Sequence, residues 1–198
     1  MSEPSVTLVL VRHGETEWSK SGRHTGRTDL PLTDEGRRVA ERLAQRLAAW
    51  NFSAVFSSPL RRAQDTCQVA GLHDKVQLRP ELLEWDYGPY EGLTSVQIQA
   101  KEPGWTLWTH GTPGGESVAS VEARVDHFLS EVRELSGTVV AFSHGHLLRV
   151  LAARWVRLAP LDGRVFTLGT ASVSVLGGEH HSPVVQLWND QSHLAAPK

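Results

Sequence analysis

The chain has 198 residues, 40% of them hydrophobic, and a formal net charge of −2. That length supports a single domain with a sizeable core. The near-neutral balance excludes a surface built for nucleic acid or an anionic membrane. The one cysteine, Cys67, excludes an internal disulfide and suits a reducing, cytoplasmic compartment. Residues 1–5 have neither the basic segment nor the apolar run of a signal peptide, so no leader is expected. No apolar stretch approaches the roughly 20 residues of a membrane span.

In chain order, residues 6–11 read as a buried strand that stops abruptly at Arg12-His13-Gly14. The polar stretch from Glu15 to Pro31 is a loop, and its Thr25-Gly26-Arg27-Thr28-Asp29 mixes small donors with a cation. Thr33 caps a helix that runs to about Trp50, with Val39, Leu43 and Leu47 recurring every four residues. Ala54-Val55-Phe56 is a second strand. Ser58 as cap and Pro59 at the first helical position then open a second helix. Arg61 and Arg62 fall in its first turn, where cations oppose the helix dipole, so an anion is expected there. Only one of the two can face a site, because neighbours on a helix diverge by about 100°. Leu60, Ala63, Cys67 and Ala70 mark the buried face, and Cys67 reads as a small core residue.

Val76–Leu78 is a third strand, followed by Glu84-Trp85-Asp86-Tyr87-Gly88. A short helix spans Thr94 to about Lys101. Pro103–Gly115, with Trp105 and Trp108, forms an irregular flap within a small cap segment of about 85–115. Ser117 caps a helix with the stripe Val118, Val121, Val125, Phe128, Val132 and Leu135, ended by Gly137. Thr138–Phe142 is a second apolar strand ending in a His-Gly step, Ser143-His144-Gly145, with a helix from Leu147 to Trp155. Residues 171–176 and 184–188 form a hairpin. Strands alternating with helices predict an α/β fold, a three-layer sandwich with a mostly parallel central sheet flanked by helices. Ligands of such sheets bind beyond the carboxyl ends of the strands, where both His-Gly steps lie.

Two histidines, two or three arginines and nearby carboxylates point to an anion with several oxygens. Phosphate suits that set better than carboxylate. A neutral imidazole can attack phosphorus, a second can stabilise charge on the equatorial oxygens, and a carboxyl can protonate the leaving oxygen.

Arg12-His13-Gly14-Glu15-Thr16 resembles the signature of the histidine phosphatase superfamily, which includes the cofactor-dependent phosphoglycerate mutases. Thr25-Gly26 with Asp29, Ser57-Ser58-Pro59-Leu60-Arg61-Arg62-Ala63, Glu84 before Tyr87-Gly88 and Glu91-Gly92, and Ser143-His144-Gly145 resemble it too, in the family's order. The resemblance implies that His13 is the phosphorylated nucleophile and Glu84 the proton donor. Arg12, Arg62 and His144 would complete a phosphate pocket edged by Thr25, Gly26 and Ser19. Asp86, two residues on, competes with Glu84 for the donor role on an extended segment. Ser19 stands after Trp18, where those mutases carry an asparagine, and Lys101 is the one Lys or Arg between residues 93 and 115.

A less basic cap favours hydrolysis over retention of a phosphoenzyme. The expectation is a metal-independent phosphatase acting on small phosphorylated metabolites, such as sugar phosphates, without a cofactor, as a monomer or homodimer. A cofactor-dependent mutase and a non-catalytic phosphate-binding module are the alternatives. A metal hydrolase lacks its motif: His144 and His146 are two apart, His180-His181 sit in a turn, and there is no His-Glu-x-x-His.

Overall fold

The structure is a computed structural model and describes residues 6–194; the leader reading of residues 1–5 concerns residues outside it. In chain order the elements are β1 (Val6–Arg12), α1 (Glu17–Lys20), α2 (Asp34–Leu47), β2 (Phe52–Ser57), α3 (Arg61–Val69) and β3 (Val76–Leu78). There follow α4 (Ser95–Gln99), α5 (Leu107–His110), α6 (Val118–Arg133), β4 (Gly137–Ser143), α7 (Gly145–Trp155), β5 (Val173–Glu179) and β6 (Ser182–Asp190). The six strands form one sheet in the order β3-β2-β4-β1-β5-β6. The pairs β2–β3, β2–β4 and β1–β4 are parallel, and β5 runs antiparallel to both β1 and β6.

The unbroken apolar run of β1 follows from burial on both faces. Val6, Leu8 and Leu10 join the core under α6 and α7, while Val9 and Val11 join the core under α2 and α3. Phe128, Leu148, Leu151 and Trp155 fill the first core; Leu43, Leu47, Ala63 and Cys67 fill the second. Helices on both faces of a mostly parallel sheet make the expected α/β three-layer sandwich.

Local differences have local causes. The helix capped by Thr33 ends at Leu47, and its buried face is Gly36, Ala40, Leu43 and Leu47, with Val39 half-buried at the edge. Ser58 and Pro59 precede α3 instead of opening it, and Leu60 takes the cap position without a side-chain bond. The anion expected at this helix start is supplied by Asp29, whose Oδ1 accepts from the Arg61 amide at 2.7 Å. Gly137 does not end α6, which caps at Glu134; it opens β4 at φ +80°, a conformation open to glycine. The flap is not loose: α5 forms within it, and Trp85 and Trp105 are buried in the core beneath α6 and α7. The hairpin turns through His180 and His181, both at positive φ and exposed to solvent. Cys67 is buried, and burial pushes its thiol up to about 12, as suits an inert core residue.

Candidate active site

The ladder register brings the two His-Gly steps together. Arg12 pairs with Ser143 at the ends of β1 and β4, so His13 and His144 leave adjacent strands side by side, with ring centroids 5.2 Å apart. The His13 amide donates to the Ser143 carbonyl at 3.0 Å, which continues the ladder one step into the site. Gly14 follows because there is no room for a side chain: a Cβ would lie 2.7 Å from the Gly36 carbonyl oxygen. Its amide donates to Thr66 Oγ1, and that hydroxyl donates to the Arg62 carbonyl.

His13 is buried, and its Nδ1 lies 2.7 Å from the Gly14 carbonyl oxygen. A carbonyl can only accept, so Nδ1 carries the hydrogen and Nε2 keeps its lone pair. Burial, then the charges of Arg62 and Arg12, hold the ring well below its ordinary pKa, so it stays neutral.

Arg62, the second residue of α3, is fully buried, while its neighbour Arg61 is exposed and pairs with Asp65. The Arg62 fork donates to the carbonyls of Thr25, Gly26 and Thr28, and its Nε donates to His144 Nδ1 at 3.1 Å. His144 must therefore accept at Nδ1 and donate from Nε2 to Ser58 Oγ, at 2.8 Å. Burial first, then Arg62, depress its pKa as well.

Glu84 is held by the start of α7. Its Oε1 accepts from the amides of Trp85 and Leu147, and Oε2 accepts from the amide of His146, all at 2.9–3.0 Å. The first N–H groups of a helix have no partner within it, and a carboxylate here meets that need and the helix dipole together. Asp86 turns elsewhere: it accepts from the Gly88 amide, faces Arg27 at 3.8 Å and is more than a third exposed. Of the two candidate donors, Glu84 alone reaches the cavity.

That cavity, about 110 Å³, is lined by Arg12, His13, Ser19, Arg23, His24, Thr25, Glu84, Tyr87, Gly145, His146, Arg149 and Leu168. Arg12 Nη1 donates to the Leu168 carbonyl at 2.5 Å, while its Nε is buried and has no partner among the described residues, so a donor stands ready for a ligand oxygen. Gly145 lets Arg12 lie against the start of α7, since a Cβ there would sit 3.4 Å from the guanidinium carbon.

Five expected site residues depart from simple pocket-lining roles. Gly26 is not on the wall; its carbonyl seats Arg62, and a Cβ would meet the Trp85 carbonyl oxygen at 2.7 Å. Ser19 and Thr25 are on the wall, but their hydroxyls are engaged with backbone: Ser19 in the capping box of α1, Thr25 with the Arg23 carbonyl. Arg62 and His144 adjoin His13 without lining the cavity.

Sequence reasoning passes over Arg23, His24, Tyr87 and Arg149 on the wall, and it weighs His146 only as a metal ligand. Tyr87 Oη and His146 Nδ1 lie 2.5 Å apart. His146 and Arg149 follow Gly145 by one and four positions, the spacing of one helix face, and that was the available signal. Among the described residues, no group of three or more His, Cys, Asp or Glu side chains is placed to hold a metal ion, and no helix is long and apolar enough to cross a membrane.

The chain is similar to known proteins over most of its length. A family model described as the histidine phosphatase superfamily (branch 1) matches residues 8–191. An acid phosphatase of Mycobacterium tuberculosis is 47% identical over 177 residues, 87% of each chain. A 2,3-bisphosphoglycerate-dependent phosphoglycerate mutase of Mesorhizobium japonicum is 36% identical over 177 residues, 81% of this chain and 83% of that protein. The solved structure of an open-reading-frame product from Mycobacterium tuberculosis, 45% identical, covers 92% of this chain and 96% of its own with a TM-score of 0.88. The chain belongs to the histidine phosphatase superfamily, branch 1.

Proposed function

We propose that this chain is a metal-independent, cytoplasmic phosphatase that hydrolyses small phosphate monoesters through a phosphohistidine on His13. The observation that supports this most is the tautomer of His13. With Nδ1–H tied to the Gly14 carbonyl, the free lone pair sits on Nε2 of a neutral ring on the cavity wall.

In the first step Nε2 attacks phosphorus, the bond from phosphorus to the ester oxygen breaks, and that oxygen leaves with a proton from the Glu84 carboxyl. In the second, water attacks the phosphohistidine, Glu84 takes a proton from it, and inorganic phosphate departs from a regenerated imidazole. Arg12 and Arg62 carry two positive charges for the phosphoryl oxygens, and His144, whose Nε2–H is given to Ser58 Oγ, fixes the Arg62 guanidinium beside them through Nδ1. Three of the four lone-pair sites of Glu84 are taken by amides, which leaves one for the travelling proton. The mutase reading is weaker because a phosphoenzyme that waits for a second substrate must be shielded from water. Here Arg23, on the cavity wall, is itself exposed.

Turnover of p-nitrophenyl phosphate in EDTA tests the reading. The wild type is expected to stay active without metal, and His13→Ala to lose at least about a thousandfold, as expected when a nucleophile is removed. Activity abolished by EDTA, or retained by His13→Ala, would overturn it.

A further inference from the structure

The peptide that joins His13 to Gly14 is held at both ends. Its carbonyl accepts from the Ala171 amide at 3.0 Å, and its N–H donates to Thr66 Oγ1 at 3.0 Å. A peptide is planar, so two such anchors fix its tilt. The next carbonyl along the chain, that of Gly14, is the one that accepts from Nδ1 of His13. The tilt of this one peptide therefore decides where the anchor of the ring lies, and with it where Nε2 points.

Thr66 comes from α3 and is fully buried. Ala171 comes from the turn before β5 and does not hold its place by its own preference. It is a buried alanine at φ +52°, in the left-handed region that L side chains rarely adopt. A residue stays there when its surroundings fix it on several sides. The segment that ends β6 and follows it does so, because it grips the two peptides that flank the Ala171 Cα. The peptide before it, whose N–H reaches His13, has its carbonyl on Thr170, which accepts from Gln191 Nε2 at 2.9 Å. The peptide after it has the Ala171 carbonyl, 3.0 Å from His193 Nε2. A carbonyl can only accept, so that nitrogen of His193 carries its hydrogen.

The same turn receives Arg12. The Leu168 carbonyl accepts from Arg12 Nη1, the Ser172 carbonyl accepts from the Arg12 amide, and Asn189 Oδ1 holds the Gly169 amide at 2.7 Å. Residues 168–172 thus have the two site residues on one side and residues 189–193 on the other. That outer segment is fastened in turn to α2. Arg46 Nε donates to Asp190 at 3.0 Å, and Arg42 Nη1 donates to the Leu194 carbonyl at 3.0 Å.

We infer that Gln191 and His193 are positioning residues for the reaction: by fixing the peptides on either side of Ala171, they hold the His13–Gly14 peptide at the tilt that keeps His13 Nε2 unprotonated and on the cavity wall. The inference rests on the reading of His13 as the nucleophile. Neither residue lines the cavity, so their effect reaches the rate through the backbone and not through the substrate.

The test measures turnover of p-nitrophenyl phosphate by the full chain. His193→Leu removes the donor and is expected to lower kcat about ten- to hundredfold, the scale of a misplaced reacting group, with KM nearly unchanged. His193→Gln sets an amide nitrogen about where Nε2 stands, and should recover most of the loss. Gln191→Ala is the second variant: the position is exposed, so the fold is retained, and a smaller loss in kcat is expected. Nitrogen-15 spectra of the His13 ring give a readout that lost packing alone would not move. Wild type is expected to show a protonated Nδ1 and a bare Nε2, and His193→Leu a mixture of the two tautomers.

Wild-type kcat in Gln191→Ala and in a folded His193→Leu, a loss carried by KM, a His193→Gln as slow as His193→Leu, or a single unchanged tautomer in the slow variants would overturn the inference. If His13→Ala keeps its activity, the proposed reaction is what fails. The ring spectra need no turnover, and they decide the positioning separately.

Discussion

At the residue scale, one buried network decides which atoms are free to react. Arg62 seats on three carbonyls and donates to His144, which passes its own donor to Ser58. His13 is turned so that its reactive nitrogen is the unprotonated one. Glu84 and Asp86 sit two apart in sequence and part company in space, and their variants separate the two roles. Glu84→Gln is expected to lower kcat about 10²–10⁴-fold for an alkyl phosphate, the usual contribution of a general acid. The loss should be smaller for p-nitrophenyl phosphate, whose leaving group needs little protonation. Asp86→Asn should stay within about threefold, because a partly exposed ion pair is worth little. Steady-state rates on the two substrates check both, and the opposite ranking would make Asp86 the donor.

At the element scale, α7 and the loop after β3 position each other. The first amides of α7 hold Glu84, and Arg124 from α6 holds the loop from behind. Arg124 donates to the carbonyls of Glu81 and Leu83 at 2.7 and 2.6 Å and forms a bidentate pair with Glu116. Arg124→Met leaves the nearly buried Glu116 carboxylate with the looser Arg27 pair at 3.7 Å and the Asp86 amide, and frees the loop. A loss of about 3 kcal/mol in urea denaturation is expected, with a lower kcat because Glu84 no longer points consistently at the cavity. Adding Glu116→Gln should restore part of the stability and none of the rate. A double variant no more stable than the single one would mean that the ion pair is not what holds the loop.

At the scale of the whole molecule, burial of the site sets the acid limit of the fold. His13, His144 and His146 are each held well below the ordinary histidine value, in every case first by desolvation and then by neighbouring arginines. The unfolded chain takes up these protons below pH about 6.5, and the folded chain does not. Stability is therefore unaffected by them above that pH and falls as the pH drops below it. The limiting slope is about 1.4 kcal/mol per pH unit for each histidine, or about 4 for three. Guanidinium denaturation at pH 7.5, 6.0 and 5.0 should show this decline. Stability that is flat from pH 7.5 to 5.0 would mean the rings are protonated in the fold.

Much of this architecture was legible from local chemistry. An apolar run that stops at Arg12-His13-Gly14, and a second that stops at Ser143-His144-Gly145, reveal two strands buried on both faces that deliver histidines at their ends. Periodicity exposes α6, and Thr33 and Ser117 announce their helices, because these signals depend on neighbours a few residues apart. Long-range pairing is different. Nothing local says that β4 inserts between β1 and β2, yet that insertion is what sets His144 beside His13. Nothing local says that the first amides of α7 would choose Glu84 over Asp86, that Gly26 would serve Arg62 instead of the ligand, or that Arg149 would be half-buried with no carboxylate in ion-pair distance among the described residues. The residue types for phosphate chemistry are written along the chain, since motif and periodicity act through adjacent atoms. Which nitrogen is free, which carboxylate reaches the cavity and which cation is left unpaired depend on contacts between residues tens of positions apart, and those exist only once the sheet has closed.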